Sequence, residues 1–248
     1  MSDQKHHQTI LPFQTRAILF DLDDTLHHRY HAFQGWAQAF AQTYYAPEQS
    51  TEIAEMSRYL VEIDQYGYMP RDEYFQRLQQ RYPQVQGSTT ELIQSYQQAV
   101  IGHVVLEDEI HQLLHYLQEQ QVPVGIVTNG DTHQQKLKIA KLGLEPFTSC
   151  IFISQEFGVA KPDPAIFLAA ANCLHTDPEQ ILFVGDNPVF DIWGAHQVGM
   201  KTIWIQHEAR TWPQDVSTEA ANSTVHSLAD LLPLFNVPST AILTQTVN

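Results

Sequence analysis

Cysteine is almost missing from this chain of 248 residues, which holds only Cys150 and Cys173, both in apolar stretches. So few thiols, so placed, suit neither a disulfide framework nor a metal site, and both are read as buried free thiols. No apolar run approaches the roughly 18 residues that suggest a membrane span, and no basic, apolar and small-residue succession opens the sequence. The expected setting is cytoplasmic, with no membrane partner. Basic residues are scarce, 13 against 28 acidic ones, for a net charge of -15. That deficit argues against nucleic acid as a partner, because such affinity comes largely from lysine and arginine on phosphates. Small phosphorylated ligands remain admissible, since a small anion needs only local compensation from a cation, a lysine and amide dipoles. Histidine is common at 13 residues but shows no metal-ligand spacing. The adjacent pairs His6-His7 and His27-His28 are expected to be solvated or locally bonded. No repeat or strong low-complexity tract occurs, and oligomeric state is not legible.

What is present is an ordinary globular balance, 43% hydrophobic and 17% charged, at a length that suits one large domain or a core with an insert. Ala17-Ile18-Leu19-Phe20 is a continuous apolar run that stops at an acidic cluster, as a buried parallel strand opening onto a loop should. Similar runs follow at 122–127, 150–153, 181–184 and 202–205, separated by helical stretches expected at 108–120, 131–142, 163–174 and 188–198. Such alternation predicts an α/β fold with a doubly wound parallel sheet. Residues 28–104 break the pattern. Phe33, Trp36, Ala37, Phe40, Ala41 and Tyr44 mark one buried helix face, and three further helices are expected around Met56, Phe75 and Tyr96. The expected division is therefore a loosely held 1–15, an α/β core of 16–27 and 105–236, an all-helical insert of 28–104 and a loose tail of 237–248.

Four polar patches fall directly after apolar strands, at the edge where open parallel sheets build their sites. In Asp21-Leu22-Asp23 the i, i+2 spacing lets both carboxylates face one pocket while Leu22 faces the other way. Thr128-Asn129-Gly130-Asp131 offers a hydroxyl, exposed amides and a tight turn, a concavity for an anion. Lys161-Pro162-Asp163-Pro164 sets a lysine just before a helix capped by Asp163. Gly185-Asp186-Asn187-Pro188 places Asp186 before a helix capped by Asn187, with Asp191 in the first turn. Each patch taken alone reads as a solvated turn or a helix cap. The set is more specific, because order, residue type and strand context all agree.

As a set, the patches resemble the four motifs of the haloacid-dehalogenase-like superfamily, over about residues 17 to 235. The resemblance implies a Rossmannoid core with a small helical cap inserted after the first motif. It also implies a phosphatase that hydrolyses a small phosphomonoester, such as a nucleotide, sugar or sugar-acid phosphate. By that likeness Asp21 is the nucleophile that forms an aspartyl-phosphate, Asp23 the general acid and base, and Lys161 a catalytic cation. Thr128, Asn129 and Lys161 hold the phosphoryl oxygens, and Asp21, Asp23, Asp186 and Asp191 serve Mg²⁺. Among the cap's arginines, Arg58 or Arg71 is the expected substrate contact, and Tyr66, Tyr68 or Trp36 is either cap core or a platform for a sugar or base. Asp23 argues against a dehalogenase of the same superfamily, which has no use for that second carboxylate. Two alternatives stay open: a sugar-phosphate mutase, which shares all four motifs, and a catalytically silent binding module.

Overall fold

A computed structural model describes residues 12–67, 69–207, 211–227 and 229–235. The expectations for 1–11, Tyr68 and 237–248 lie outside the described residues. Two compact units are present: one holds 12–27, 106–135 and 143–235 of the described chain, and the other holds His28–Val105 with Lys136–Leu142. The second thus takes in the end of a helix that the sequence reading left with the α/β part.

In the first unit, β1 (Ala17–Phe20), β2 (Val124–Thr128), β3 (Cys150–Ile153), β4 (Ile181–Gly185), β5 (Lys201–Ile205) and β6 (Ser223–Val225) form one sheet in the order β3-β2-β1-β4-β5-β6. All pairings are parallel. β1 lies at the centre and is buried throughout, which is why its run is apolar without alternation. The second unit carries α1 (Arg29–Gln42), α2 (Ser50–Asp64), α3 (Arg71–Arg81) and α4 (Thr89–Val100). Phe33, Trp36, Tyr74 and Phe75 are buried there, and the Trp36 ring meets Tyr96 edge-on at 4.7 Å. Ser88 and Glu91 close a reciprocal capping box at the start of α4. The remaining helices are α5 (Asp108–Glu119), α6 (Thr132–Leu142), the single turn α7 (Ser154–Phe157), α8 (Pro164–Cys173), and the short α9 (Gly194–Gln197) and α10 (Leu231–Leu234). Among the described residues, no helix is long and apolar enough to cross a membrane.

Three readings need correction. Cys150 and Cys173 are not free thiols but a disulfide, because parallel pairing of β3 beside β2 and the packing of α8 on the sheet bring their Cα atoms to 5.8 Å. That proximity is tertiary and leaves no trace in sequence spacing. The helix expected over 188–198 is instead a wide π turn, Pro188–Trp193, followed by α9. The sheet also has a sixth strand, β6, too short and too polar to signal itself.

Candidate active site

Strand pairing sets the site. The Asp21 N–H donates to Val184 O at 2.9 Å, carrying the β1–β4 register one residue past the strand and fixing where the carboxylate begins. Asp21 is only 6% exposed. Its Oδ1 accepts from the Lys161 ammonium at 2.6 Å, and the same ammonium donates to Asp191 Oδ1 at 2.6 Å and to Val127 O at 2.8 Å. Three donor hydrogens thus meet three acceptors. Asn129 holds the lysine's backbone from both sides: its Oδ1 accepts from Lys161 N–H at 2.8 Å and its Nδ2 donates to Lys161 O at 3.0 Å. Asp163 caps α8 through Ala165 N–H, with Pro164 in the first helical position, so the lysine enters from a fixed helix start.

On the β4 side, Asp186 follows the strand and its carbonyl accepts from the Trp204 indole at 2.9 Å. Asn187 caps the π turn by accepting from the Val189 and Phe190 N–H groups. The turn returns Asp191 beside the strand end, where its Oδ2 accepts from Asn187 N–H at 2.9 Å. Only glycine fits at 185, since a Cβ there would lie 2.5–2.6 Å from the Asp191 side chain. One oxygen each of Asp21, Asp186 and Asp191 lies within 4.8 Å of the others, and all three residues are buried.

Three clustered, buried carboxylates, two of them paired to one ammonium, are electrostatically lopsided. Burial, followed by repulsion from Asp191 and Asp23, outweighs Lys161 and pushes the Asp21 carboxyl up to about 7. Burial opposes the charge on Lys161, but Asp191 and Asp21 overcome it and hold the ammonium above the ordinary lysine range. Asp23 is set apart from the trio and is partly exposed. Its Oδ1 lies 3.0 Å from His27 Nε2, and its Oδ2 accepts from the Gln135 amide at 2.9 Å. The same amide donates to Thr128 Oγ1 at 2.6 Å.

His27 and Gln135 are site residues that sequence reasoning passed over. His27, one of the pairs expected to be solvated or local, is 1% exposed and bonded to Asp23. Gln135 had one legible signal: with Ile139 and Leu142 it follows an i, i+4, i+7 stripe, and all three are buried. A glutamine in an apolar stripe needs a polar partner, which Asp23 and Thr128 supply. Gly130, at φ 147°, makes room for it, since a Cβ there would crowd the Gln135 side chain at 3.1 Å.

The sequence profile of haloacid dehalogenase-like hydrolases matches residues 15–199, three quarters of the chain and every motif just described. The chain belongs to that family. Among its relatives is the glyceraldehyde 3-phosphate phosphatase of Methanopyrus kandleri, 30% identical over 203 residues, which span 77% of this chain and 84% of that protein. The pyrimidine 5'-nucleotidase YjjG of Escherichia coli is 34% identical over 110 residues, 44% of this chain and 49% of that one. The magnesium-bound HAD-hydrolase YfnB of Bacillus subtilis superposes with a TM-score of 0.68 at 25% identity, covering 90% of this chain and 99% of that one.

Of the arginines expected to meet substrate, both lie in the helical unit. Arg58 lines a groove of about 1010 Å³ between α1 and α2 together with Gln34, Gln38 and Ser57. Arg71 is committed to Asp64, at 2.7 Å, and to the faces of Phe33, Tyr74 and Tyr96. Tyr66 is 41% exposed and stacks on Tyr30, whereas Trp36 is core.

Proposed function

We propose that this hydrolase is a Mg²⁺-dependent phosphatase of small phosphomonoesters, working through an aspartyl-phosphate on Asp21. One observation carries the reading: Asp21 lies in a cation-seeking cluster while Asp23, two residues on, is held outside it, so two neighbouring carboxylates have two environments and two roles. Asp21 attacks phosphorus as the ester oxygen departs. Asp23 gives that oxygen its proton, then takes one from the water that cleaves the acyl-phosphate, serving as acid and base in turn. Thr128 suits an oxygen-holding role, because Gln135 engages a lone pair of its hydroxyl and the hydroxyl's own donation, to Asn129 O, is long at 3.4 Å and can be exchanged for a phosphoryl oxygen. Asn129 serves through its backbone amide, its side chain being spent on Lys161.

The donor set fits a hard cation: all-oxygen, anionic and clustered around Asp21, Asp186 and Asp191, with the Asp23 carbonyl as a further ligand. Bound there, Mg²⁺ supplies positive charge that lets a phosphate dianion approach three carboxylates. Lys161 neutralises Asp21 and Asp191 and reaches a phosphoryl oxygen by giving up one of its three present acceptors. The relatives named for glyceraldehyde 3-phosphate and pyrimidine nucleotides support a phosphorylated metabolite as substrate. The helical unit is then the cap that screens it. Arg58 is the better candidate of the two arginines for substrate contact, since Arg71 is occupied by Asp64.

The test is phosphate release from an aryl phosphate and from a panel of phosphorylated metabolites, with Mg²⁺ and with chelator. Metal-dependent release is expected. Absence of release from every ester would remove the phosphatase reading, and turnover that needs a bisphosphate activator would replace it with a mutase.

A further inference from the structure

Helix α5 buries Ile110, Leu113, Leu114 and Leu117 and leaves His111 and His115, one turn apart, in solvent. Their Nε2 atoms lie 3.1 Å apart and their ring centroids 4.4 Å apart. The arrangement is braced. Phe147 meets the His115 ring edge-on at 5.0 Å, and the Gln118 amide ties α5 to the same segment by donating to Pro146 O at 3.1 Å.

Two imidazole nitrogens this close share one proton or one cation. A first-row transition ion sits about 2.0–2.1 Å from an imidazole nitrogen, so nitrogens 3.1 Å apart subtend roughly 100° at the metal. That angle falls between the octahedral and tetrahedral values, and ligation needs no movement of the helix. We propose that His111 and His115 form a two-coordinate protein site for a divalent transition-metal ion of the Cu²⁺, Ni²⁺ and Zn²⁺ class. Each ring then carries its single proton on Nδ1 and presents the Nε2 lone pair, the ring that had donated between the two Nε2 atoms changing tautomer by exchange with solvent. Imidazole suits these borderline ions, whereas Mg²⁺ prefers oxygen, so the pair and the carboxylate trio select different metals on one unit. The exposed rings leave the remaining coordination positions to water. The inference does not rest on the phosphatase reading.

The experiment titrates the full chain with Cu²⁺ under excess Mg²⁺, comparing wild type with His111→Ala and His115→Ala by calorimetry and by the nitrogen hyperfine pattern of the Cu²⁺ resonance. Wild type is expected to bind one Cu²⁺ through two imidazole nitrogens, tighter than Ni²⁺, which in turn binds tighter than Co²⁺. Either substitution breaks the chelate and weakens binding about 10²-fold. Both sites are on the surface, so the variants keep the fold, as circular dichroism would verify. Equal affinity in all three proteins, including binding that follows His6 and His7 instead, would overturn the proposal, as would no stoichiometric binding below millimolar Cu²⁺.

Discussion

Each unit buries one cluster of charge, and the two are unbalanced in opposite directions. In the α/β unit, Lys161 pairs with Asp21 and Asp191, and Asp186 clusters with those two carboxylates, three acids to one base. In the helical unit, Asp64 sits between Arg29, at 2.8 Å, and Arg71, at 2.7 Å, one acid to two bases. The positive surplus is absorbed locally: Arg71 lies 4.8 Å from the Tyr96 ring centroid and Arg29 lies 5.4 Å from that of Phe33, and aromatic faces attract cations. In the acid-rich cluster, burial and the repulsion of Asp191 and Asp23 push the Asp21 carboxyl up toward neutrality instead. The helical unit's cluster thus meets its surplus within the fold, whereas the α/β unit's cluster keeps an excess of negative charge.

The sharpest way to break this contrast is Asp21→Asn. It should lower phosphate release by about 10³-fold or more while leaving the fold intact by circular dichroism, and turnover within tenfold of wild type would take the nucleophile's role from Asp21. Asp64→Ala attacks the other cluster and strands two guanidinium groups. It should cost about 3 kcal/mol in urea unfolding, the low end for a broken buried pair because the arginine side chains are 14% and 23% exposed. A loss under about 1 kcal/mol would mean that the rings alone hold the arginines.

The acid-rich cluster also has a pH signature. In metal-free protein the folded Asp21 value of about 7 lies above its ordinary 3.8, so the folded state binds that proton more tightly than the unfolded state does. The resulting stabilisation is full below pH 3.8 and is lost as pH rises through about 7. Lys161, raised, stays charged throughout. Thermal melting in chelator should show wild type losing stability relative to Asp21→Asn across this window, with Mg²⁺ restoring it at neutral pH; parallel curves would contradict the assignment. Gln135→Met, which keeps bulk but removes the donor shared by Asp23 and Thr128, should reduce kcat about tenfold with a smaller change in KM, or roughly 1.4 kcal/mol of barrier. Smallest of all, Arg77→Ala severs an exposed pair with Glu73 and should shift stability by less than about 0.5 kcal/mol. A larger shift would show that surface charge matters here as buried charge does.

Much of the fold was legible because buried parallel strands are uniformly apolar and their helices begin at side chains with a capping function, as Asp163 and Asn187 do. Three of the four motif patches were legible for the same reason, being punctuation after an apolar strand, whereas Lys161 follows the turn α7 and was marked by the helix start after it. Other features were silent because they arise from contacts across the chain. Cys150 meets Cys173 only once β3 and α8 are in place. Gln135 meets Asp23 from 112 residues away, and its stripe with Ile139 and Leu142 marks it as buried without naming the partner. The burial of His27, expected to be either solvated or locally bonded, was silent because it depends on the first motif turning back on itself, with Asp24 in the left-handed region at φ 58°.

The wide turn at Pro188–Trp193 carries a further consequence. Asn187 O accepts both the Asp191 N–H, at 3.0 Å, and the Ile192 N–H, at 3.2 Å, so four- and five-residue spacings meet at one carbonyl. Side chains at the turn's other positions are exchangeable in principle, but its residue count is not, because one amino acid more or fewer rotates everything beyond it by about 100°. Loop grafting between such scaffolds must therefore conserve length from Gly185 to Gly194 as well as the glycines and site residues within it.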